Sequence, residues 1–179
     1  MQLDSLLRHV SSEARVPPLA QWHPPCLGEM ALLITRDGGW LHEGAPFINV
    51  HVLRLLSTLL RREEDGAHYL VAPREKWRIS VEDTAFLIVD ADQANGHWTL
   101  TTNLGDEIVL DNAARLRIGQ NESAPTVPVR FGLEARLNRN VFYRLVEQAE
   151  QRLIAGAIEL GIVSAGVWQP LGRIPAESA

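Results

Sequence analysis

One segment of the chain occurs twice, and this repeat constrains the fold more than any other feature. Residues 68–83 read HYLVAPREKWRISVED, and residues 97–112, 29 positions later, read HWTLTTNLGDEIVLDN. Apolar and polar positions agree in phase between the copies, so their strands and turns should agree as well. The apolar runs that follow, 85–89 and 114–118, also match. The repeat therefore predicts two three-stranded antiparallel meanders in tandem.

An amphipathic helix accompanies each predicted meander. Asn49 can cap the first helix, and the sequence EEDG would end it, with Gly66 in the left-handed cap. The apolar face of this helix has residues three and four apart, namely Val52, Leu53, Leu56, Leu59 and Leu60. Asn138 or Asn140 can cap a second helix with a similar face.

The order of the predicted elements lacks the strand–helix alternation of a parallel sheet. The predicted class is therefore α+β, with two tandem related halves, each a curled antiparallel β-meander with one amphipathic helix. The predicted domains are an N-terminal α+β domain, residues 1–92, and a β-rich domain with one long helix, residues 93–179.

Composition excludes several classes of protein. The formal net charge is −5, and neither half is rich enough in basic residues to follow a nucleic-acid backbone. The N-terminus lacks the basic start of a secretory signal, and no apolar run approaches the ~20 residues that span a bilayer. The single cysteine, Cys26, cannot form an internal disulfide. We expect a cytoplasmic protein that binds neither membranes nor bulk nucleic acid.

Common signatures of catalysis and metal binding are absent from the sequence. It contains no Walker loop, G-x-G-x-x-G, H-E-x-x-H or G-x-S-x-G motif, and Cys26 has no metal-ligand neighbour. The adjacent acids Glu82 and Asp83 would point to opposite faces of a strand, so they do not suit acid/base work on one substrate. Asp83 is better explained as a turn residue. We predict no catalytic residue, no metal site and no cofactor.

The two copies of the repeat differ most in the turn, PREK against TNLG, and there we expect function. The turn PREK contains Lys76, which is the one lysine among 17 basic residues, and lysine is a compact charge with a tunable pKa. Asn103, in the second turn, offers an amide that can orient a ligand. Five residues are predicted to bind the ligand, namely Lys76, Glu82, Asn103, Arg130 and Arg139. Among these, Lys76 and the arginines would supply charge, and Glu82 would hold a base or hydroxyl or pair with a cation.

Four segments of the chain resemble a bacterial family of unknown function, DUF1285, in order and spacing. They read RDGGWLHEGAPF, PREKWRISVED, TTNLGDEIVLD and VRFGLEARLNRNVFYRLVE, and the resemblance covers roughly residues 17–170. It implies a duplicated two-domain fold, with a C-terminal half similar to pleckstrin-homology-like barrels. It also implies a site between the halves for a nucleotide-like ligand and a role in signalling. The chain departs from the family's pattern at Ile48-Asn49-Val50, where a Gly-Arg is usual, and at Trp77.

Three functions follow from these observations. The first is a non-enzymatic ligand-binding or regulatory protein, with a site between the halves for a nucleotide-like or other anionic small molecule, in bacterial signalling. The second is a hydrolase that acts on a phosphorylated small molecule, although the sequence displays neither an activated nucleophile nor a metal site. The third is a protein-interaction module that uses an exposed strand edge. The residues favour the first.

Overall fold

The structure, a computed structural model, describes residues 2–121 and 123–175. The chain divides into two compact units. Unit 1 holds the described residues up to Ala85 together with Arg130–Leu133, and unit 2 holds Phe86–Val129 and the described residues from Glu134 onward. The division at Ala85 lies earlier in the chain than the boundary at residue 92 on which the predicted domains rest. The predicted α+β class with two tandem halves is confirmed.

Unit 1 contains a sheet in the order β3-β2-β1-β6-β5-β4. Neighbouring strands are antiparallel, except that β1 and β6 run parallel at the centre. The strands are β1 (Cys26–Ile34), β2 (Trp40–His42), β3 (Ala45–Pro46), β4 (Leu60–Arg62), β5 (His68–Val71) and β6 (Lys76–Val81). On β6, Ile79 is buried while Arg78 and Ser80 are exposed, as the alternation of the sequence predicts.

Two helices contribute to the core of unit 1, α1 (Gln2–Leu7) and α2 (Val50–Ser57). The predicted cap of α2 is confirmed, because the side chain of Asn49 accepts a hydrogen bond from the backbone N–H of Val52 at 3.2 Å. The side chains of Leu6 and Leu56 are fully buried. No helix among the described residues is long and apolar enough to cross a membrane.

The predicted end of α2 is wrong, and the reason is local. The helix ends at Ser57, where the hydroxyls of Ser57 and Thr58 donate back to the carbonyls of Arg54 and Leu55 at 2.8 and 2.7 Å. The chain then extends into β4, which pairs with β5. Gly66, with φ of 78°, lies in the hairpin turn between these strands instead of capping a helix. Strand pairing therefore overrides the apolar spacing that Leu59 and Leu60 share with the helix.

Unit 2 contains two sheets and one helix. The first sheet has the order β10-β11-β7-β8-β9, with β11 and β7 parallel, and the second has the order β12-β13-β14. The strands are β7 (Phe86–Ala94), β8 (His97–Thr102), β9 (Glu107–Val109), β10 (Thr126–Pro128), β11 (Glu134–Leu137), β12 (Glu150–Ile154), β13 (Ala157–Ser164) and β14 (Val167–Pro175). The helix, α3 (Arg139–Glu147), contacts β7, β13 and β14. Its cap is Asn138, which accepts from the N–H of Val141 at 2.8 Å.

Two fully buried polar side chains connect the second sheet of unit 2 to the first by hydrogen bonds to backbone groups. Ser164 donates to the carbonyl of Leu110 at 2.6 Å and accepts from the N–H of Trp98 at 2.8 Å. Gln169 donates to the carbonyl of Asp111 at 3.0 Å and accepts from the N–H of Leu116 at 2.9 Å. These bonds satisfy backbone groups that burial would otherwise leave unpaired.

The repeat corresponds to two hairpins whose third strands differ. The hairpins β5–β6 and β8–β9 both form, with antiparallel registers. The third strand of the first predicted meander, β7, instead pairs with β8 and β11 in unit 2. The third segment of the second, residues 114–118, makes only an isolated bridge from Arg117 to Thr126. The shared pattern therefore encodes a hairpin, while the strand that joins each hairpin is set by longer-range pairing.

Candidate functional site

A cavity of about 810 Å³ lies in unit 1, where the hairpin turn between β4 and β5 approaches the start of β6. Its walls combine three basic and three acidic side chains with apolar surface. The lining residues are Ala20, His23, Pro24, Arg61, Arg62, Glu63, Glu64, Asp65, Lys76 and Phe131. This mixture of an apolar surface with a few convergent polar groups is typical of small-molecule sites.

Arg61 joins two walls of the cavity. From β4, its Nη1 atom donates to the carbonyls of Leu19 and Trp22 at 2.7 and 2.9 Å. Its Nη2 atom donates to Oε1 of Glu63 at 2.5 Å. The guanidinium is therefore held by three acceptors, and it fixes the segment that carries Ala20 and His23 against β4.

Lys76 and Arg61 share one carboxylate. Nζ of Lys76 donates to Oε2 of Glu63 at 2.7 Å and lies 4.6 Å from the centroid of the Tyr69 ring. The three charged side chains are 13% (Arg61), 17% (Lys76) and 22% (Glu63) exposed, so solvent screens them only in part. Burial raises the pKa of Glu63, but the hydrogen bonds from Lys76 and Arg61 lower it by more. The net pKa is below its ordinary value, so the carboxyl stays ionised to a lower pH than is usual.

A second acid of the turn, Asp65, accepts hydrogen bonds within the protein. The hydroxyl of Tyr69 donates to Oδ2 of Asp65 at 2.7 Å, and the N–H of Ala67 donates to Oδ1 at 2.9 Å. The hydrogen bond to Asp65 and burial raise the pKa of Tyr69 to about 12, and the bond from Tyr69 lowers the pKa of Asp65. Both groups therefore keep their charge state across the neutral range and hold the turn in place.

The basic and acidic side chains of the cavity are equal in number but differ in how many of their hydrogen-bonding positions the protein uses. The oxygens of Glu63 and Asp65 accept four hydrogen bonds from the protein itself. The ammonium of Lys76 has three N–H donors, of which one is used by Glu63. Two N–H donors of Lys76 therefore remain for a ligand, while Glu63 and Asp65 are engaged within the protein and Glu64 also lines the cavity.

The apolar wall of the cavity includes Phe131, which belongs to the short segment Arg130–Leu133. The N–H of Arg62 donates to the carbonyl of Phe131 at 2.9 Å. Phe131 has φ of 46° and Gly132 has φ of 74°, so two successive residues adopt the left-handed region. A Cβ atom at Gly132 would lie 2.8 Å from the carbonyl oxygen of Arg62, which only glycine avoids.

Lys76 is the one predicted ligand-binding residue that lines this cavity. Glu82, also in unit 1, is exposed, and its Oε2 atom accepts from the N–H of Arg36 at 2.7 Å, after β1. Arg130 donates through Nη2 to the carbonyl of Ser57 at 3.0 Å. These two side chains bond to backbone groups and do not line the cavity, and the prediction that they bind a ligand stays a prediction.

The other two predicted residues, Asn103 and Arg139, belong to unit 2. Oδ1 of Asn103 accepts from the N–H of Leu87 at 3.1 Å, and the N–H of Asn103 donates to the carbonyl of Leu87 at 2.8 Å. Asn103 therefore holds the turn after β8 against β7. Arg139 is exposed at the first residue of α3. The prediction that these residues bind a ligand stays a prediction.

Sequence reasoning missed Arg61, Glu63, Tyr69 and Phe131 as residues of the site. The sequence predicts Arg61 and Glu63 at the end of a helix, and a helix would not direct them to one side as a strand does. The usable signal was the alternation in the sequence LLRRE, where Arg61 and Glu63 are two residues apart. Within residues 2–121 and 123–175, no group of three or more His, Cys, Asp or Glu side chains is arranged to hold a metal ion.

Comparison with known proteins identifies relatives along nearly the whole chain. The family described as "Domain of unknown function (DUF1285), N-terminal domain" matches residues 17–84, and "Protein of unknown function (DUF1285), C-terminal domain" matches residues 85–171. The crystal structure of a DUF1285 family protein from Silicibacter pomeroyi DSS-3 is 35% identical, with a TM-score of 0.82, over 96% of this chain and 95% of that chain.

A second solved structure shows a similar fold. The DUF1285 family protein from Shewanella baltica OS155 is 23% identical, with a TM-score of 0.56, over 66% of this chain and 92% of that chain. No curated protein matches the chain.

Proposed function

This chain belongs to the DUF1285 family, and we propose that it is a non-enzymatic protein that binds a small anionic molecule in the cavity of unit 1. The observation that carries the proposal is the position of Lys76. Its ammonium reaches the cavity, is held in place by Glu63 and Tyr69, and keeps donors for a ligand.

The surroundings of Lys76 support an anionic ligand with an apolar or planar part. Arg62 adds a second positive charge at the cavity, while Glu63 and Asp65 are engaged by the protein. Phe131 and Pro24 supply apolar surface in the same cavity, against which a base or another flat group can pack. A nucleotide-like molecule combines these two properties.

A regulatory role in bacterial signalling, in the cytoplasm, completes the proposal. Two relatives of known structure come from bacteria, and the signalling role is what the resemblance to the family implies. Lys76 and Glu63 hold each other in an ion pair, and covalent catalysis needs an activated nucleophile, so the cavity suits binding better than turnover.

The experiment has two steps. Native mass spectrometry of freshly purified protein should show a bound small molecule. Titration calorimetry with adenosine monophosphate and with inorganic pyrophosphate should then measure affinity for two defined anions. Lys76→Met removes the charge and keeps the length, and we expect it to weaken binding about tenfold or more, the loss typical of one charge-assisted hydrogen bond.

Two further variants make the test specific. Arg78→Met removes a charge from the same strand outside this cavity, and it should bind as the wild type does. Lys76→Arg should also weaken binding, because a planar guanidinium does not reproduce the compact charge of the ammonium. Equal binding by wild type and Lys76→Met would overturn the site. A protein that purifies empty and gains no thermal stability with either anion would overturn the function.

A further inference from the structure

The strand β12 forms an edge of the second sheet in unit 2. Among the described residues it pairs with β13 alone. Glu150, Gln151, Arg152 and Leu153 are all exposed along this edge. An edge strand presents a row of unpaired N–H and C=O groups, which can pair with a further strand. No proline or bulge interrupts β12.

Apolar side chains extend the exposed edge across the sheet. Leu153 lies opposite Ile158, and Ile158 lies opposite Ile174, so the three side chains form one row on one face. Leu153 is 75% exposed and Ile174 is 48% exposed. Covering this row would remove apolar surface from water, which favours association.

The other face of β12 carries charged side chains that contact their neighbours. Arg152 lies opposite Glu159, and Glu159 lies opposite Arg173, to which it is bonded at 2.8 Å. The guanidinium of Arg152 lies 4.0 Å from the ring centroid of Trp168. Arg152 also approaches Glu150, two residues earlier on the same face, at 3.6 Å. The edge therefore presents one acid and one base side by side.

This order of charges is complementary to itself. Partners across an antiparallel pair share a face, so a two-fold pairing of β12 with another β12 must be centred on one residue. A centre at Glu150 sets two acids against each other, and a centre at Arg152 sets two bases against each other. A centre at Gln151 places each Glu150 opposite Arg152 of the other copy. It also places each Leu153 next to the small Ala149 of the other copy.

We propose that β12 is an interface at which two copies of this chain pair antiparallel about Gln151. The pairing joins two three-stranded sheets into one sheet of six strands, with two Glu150–Arg152 pairs across the join. It covers the two exposed edges at once and gives each exposed Leu153 a partner. The interface uses unit 2 only, so it is independent of the cavity proposed to bind a ligand.

Sedimentation equilibrium over a range of protein concentrations tests the interface. The wild type should dimerise. Glu150→Arg and Arg152→Glu each set like charges opposite each other, and each should raise the dissociation constant about tenfold or more. The double variant Glu150→Arg/Arg152→Glu restores both pairs with reversed sense and should recover most of the affinity. Glu147→Arg makes the same change of charge on α3, off the strand, and should dimerise as the wild type does.

A second measurement tests directly whether Gln151 lies at the two-fold centre of the pairing. In a Cys26→Ser background, Gln151→Cys should form an intermolecular disulfide under mild oxidation, because residues opposite each other have Cβ atoms about 4.5–5.5 Å apart. Glu147→Cys should not. The proposal is overturned by a wild type that stays monomeric at every concentration. It is also overturned if the single variants dimerise as tightly as the wild type, or if the double variant stays as weak as they are.

Discussion

His68, at the start of β5, shows how one side chain can make stability depend on pH. The imidazole is partly buried, and it lies opposite Arg62 on β4. Glu29 and Arg78 share a small polar cavity of about 360 Å³ with it. Burial, with repulsion from Arg62, lowers the pKa of His68 from its ordinary 6.5 to about 4.

The shift of His68 predicts a loss of stability in mild acid. The folded state binds its proton less readily than the unfolded state, so unfolding takes up as much as about one proton as the pH falls from 6.5 to 4. Stability from this group is complete above pH 6.5 and falls through that window. His68→Gln should flatten the pH dependence of the free energy of unfolding there, measured by urea denaturation.

The equivalent histidine of the second hairpin supplies the control. His97 is exposed, and its Nδ1 atom contacts the carbonyl of Asn95 at 2.9 Å. His97→Gln should keep the pH dependence of the wild type. An unchanged dependence in His68→Gln, or an equal flattening in both variants, would contradict the assignment to His68.

At this scale the sequence indicated Lys76 but not its partners. The composition alone marked Lys76 as the one lysine. Its bonds to Glu63 and Tyr69 depend on how β4, β5 and β6 pair, and no local pattern specifies that pairing. The prediction of Glu82 and Arg130 rests on residue type, and in the structure both bond to backbone N–H or carbonyl groups of distant segments.

Among the elements, β13 and β14 pack closely at one glycine. Trp168 on β14 covers Gly161 on β13, where a Cβ atom would lie 2.5 Å from the indole ring and 2.6 Å from the carbonyl oxygen of Gln169. The indole N–H donates to Glu159 at 2.7 Å. Burial raises the pKa of Glu159, but the bonds from Arg173 and Trp168 lower it by more, so the acid remains ionised.

Gly161→Ala should disturb this contact and lower stability by about 1–3 kcal/mol, the usual range for an overpacked site. The fluorescence of Trp168 should change at the same time, because the ring must move. Gly172→Ala is the matched control, since it lies in the neighbouring strand with no atom within 4 Å of its Cβ position. If the two variants lost equal stability, the loss would come from glycine as such and not from the indole.

The elements themselves were more predictable than their pairing. Alternation located β5, β6, β8 and β9, and the asparagine caps of α2 and α3 were both visible in the sequence. The parallel pairs β1–β6 and β11–β7 were not visible, because each joins strands about 50 residues apart. Likewise β7, which the sequence predicts as the third strand of the first meander, belongs to the sheet of unit 2.

For the molecule as a whole, the short segment Arg130–Leu133 is important because it completes unit 1. It lies between β10 and β11, which are strands of unit 2, yet it belongs to unit 1. There it supplies Phe131 to the cavity and bonds to Arg62. The chain is therefore interleaved, with each unit built from two stretches of sequence.

Gly132→Ala should test the importance of this segment. The variant combines a left-handed residue, which costs about 1–2 kcal/mol for alanine, with a contact of 2.8 Å to the carbonyl oxygen of Arg62. Gly96→Ala shares the left-handed φ but meets nothing within 4 Å. Thermal unfolding should show a larger loss in Gly132→Ala, and anion binding should weaken in that variant alone. Equal losses in both variants would show that the contact with Arg62 is unimportant.

The interleaving has a consequence for exchanging parts between relatives. A chimera joined at Ala85 would combine the first stretch from one parent with residues 130–133 from the other, so the aromatic wall and its glycine would come from a foreign sequence. Natural recombination between relatives would separate the same two stretches. Gly132 must stay a glycine wherever the backbone carbonyl of residue 62 lies this close, and recombination at the family's internal boundary would take the two positions from different parents.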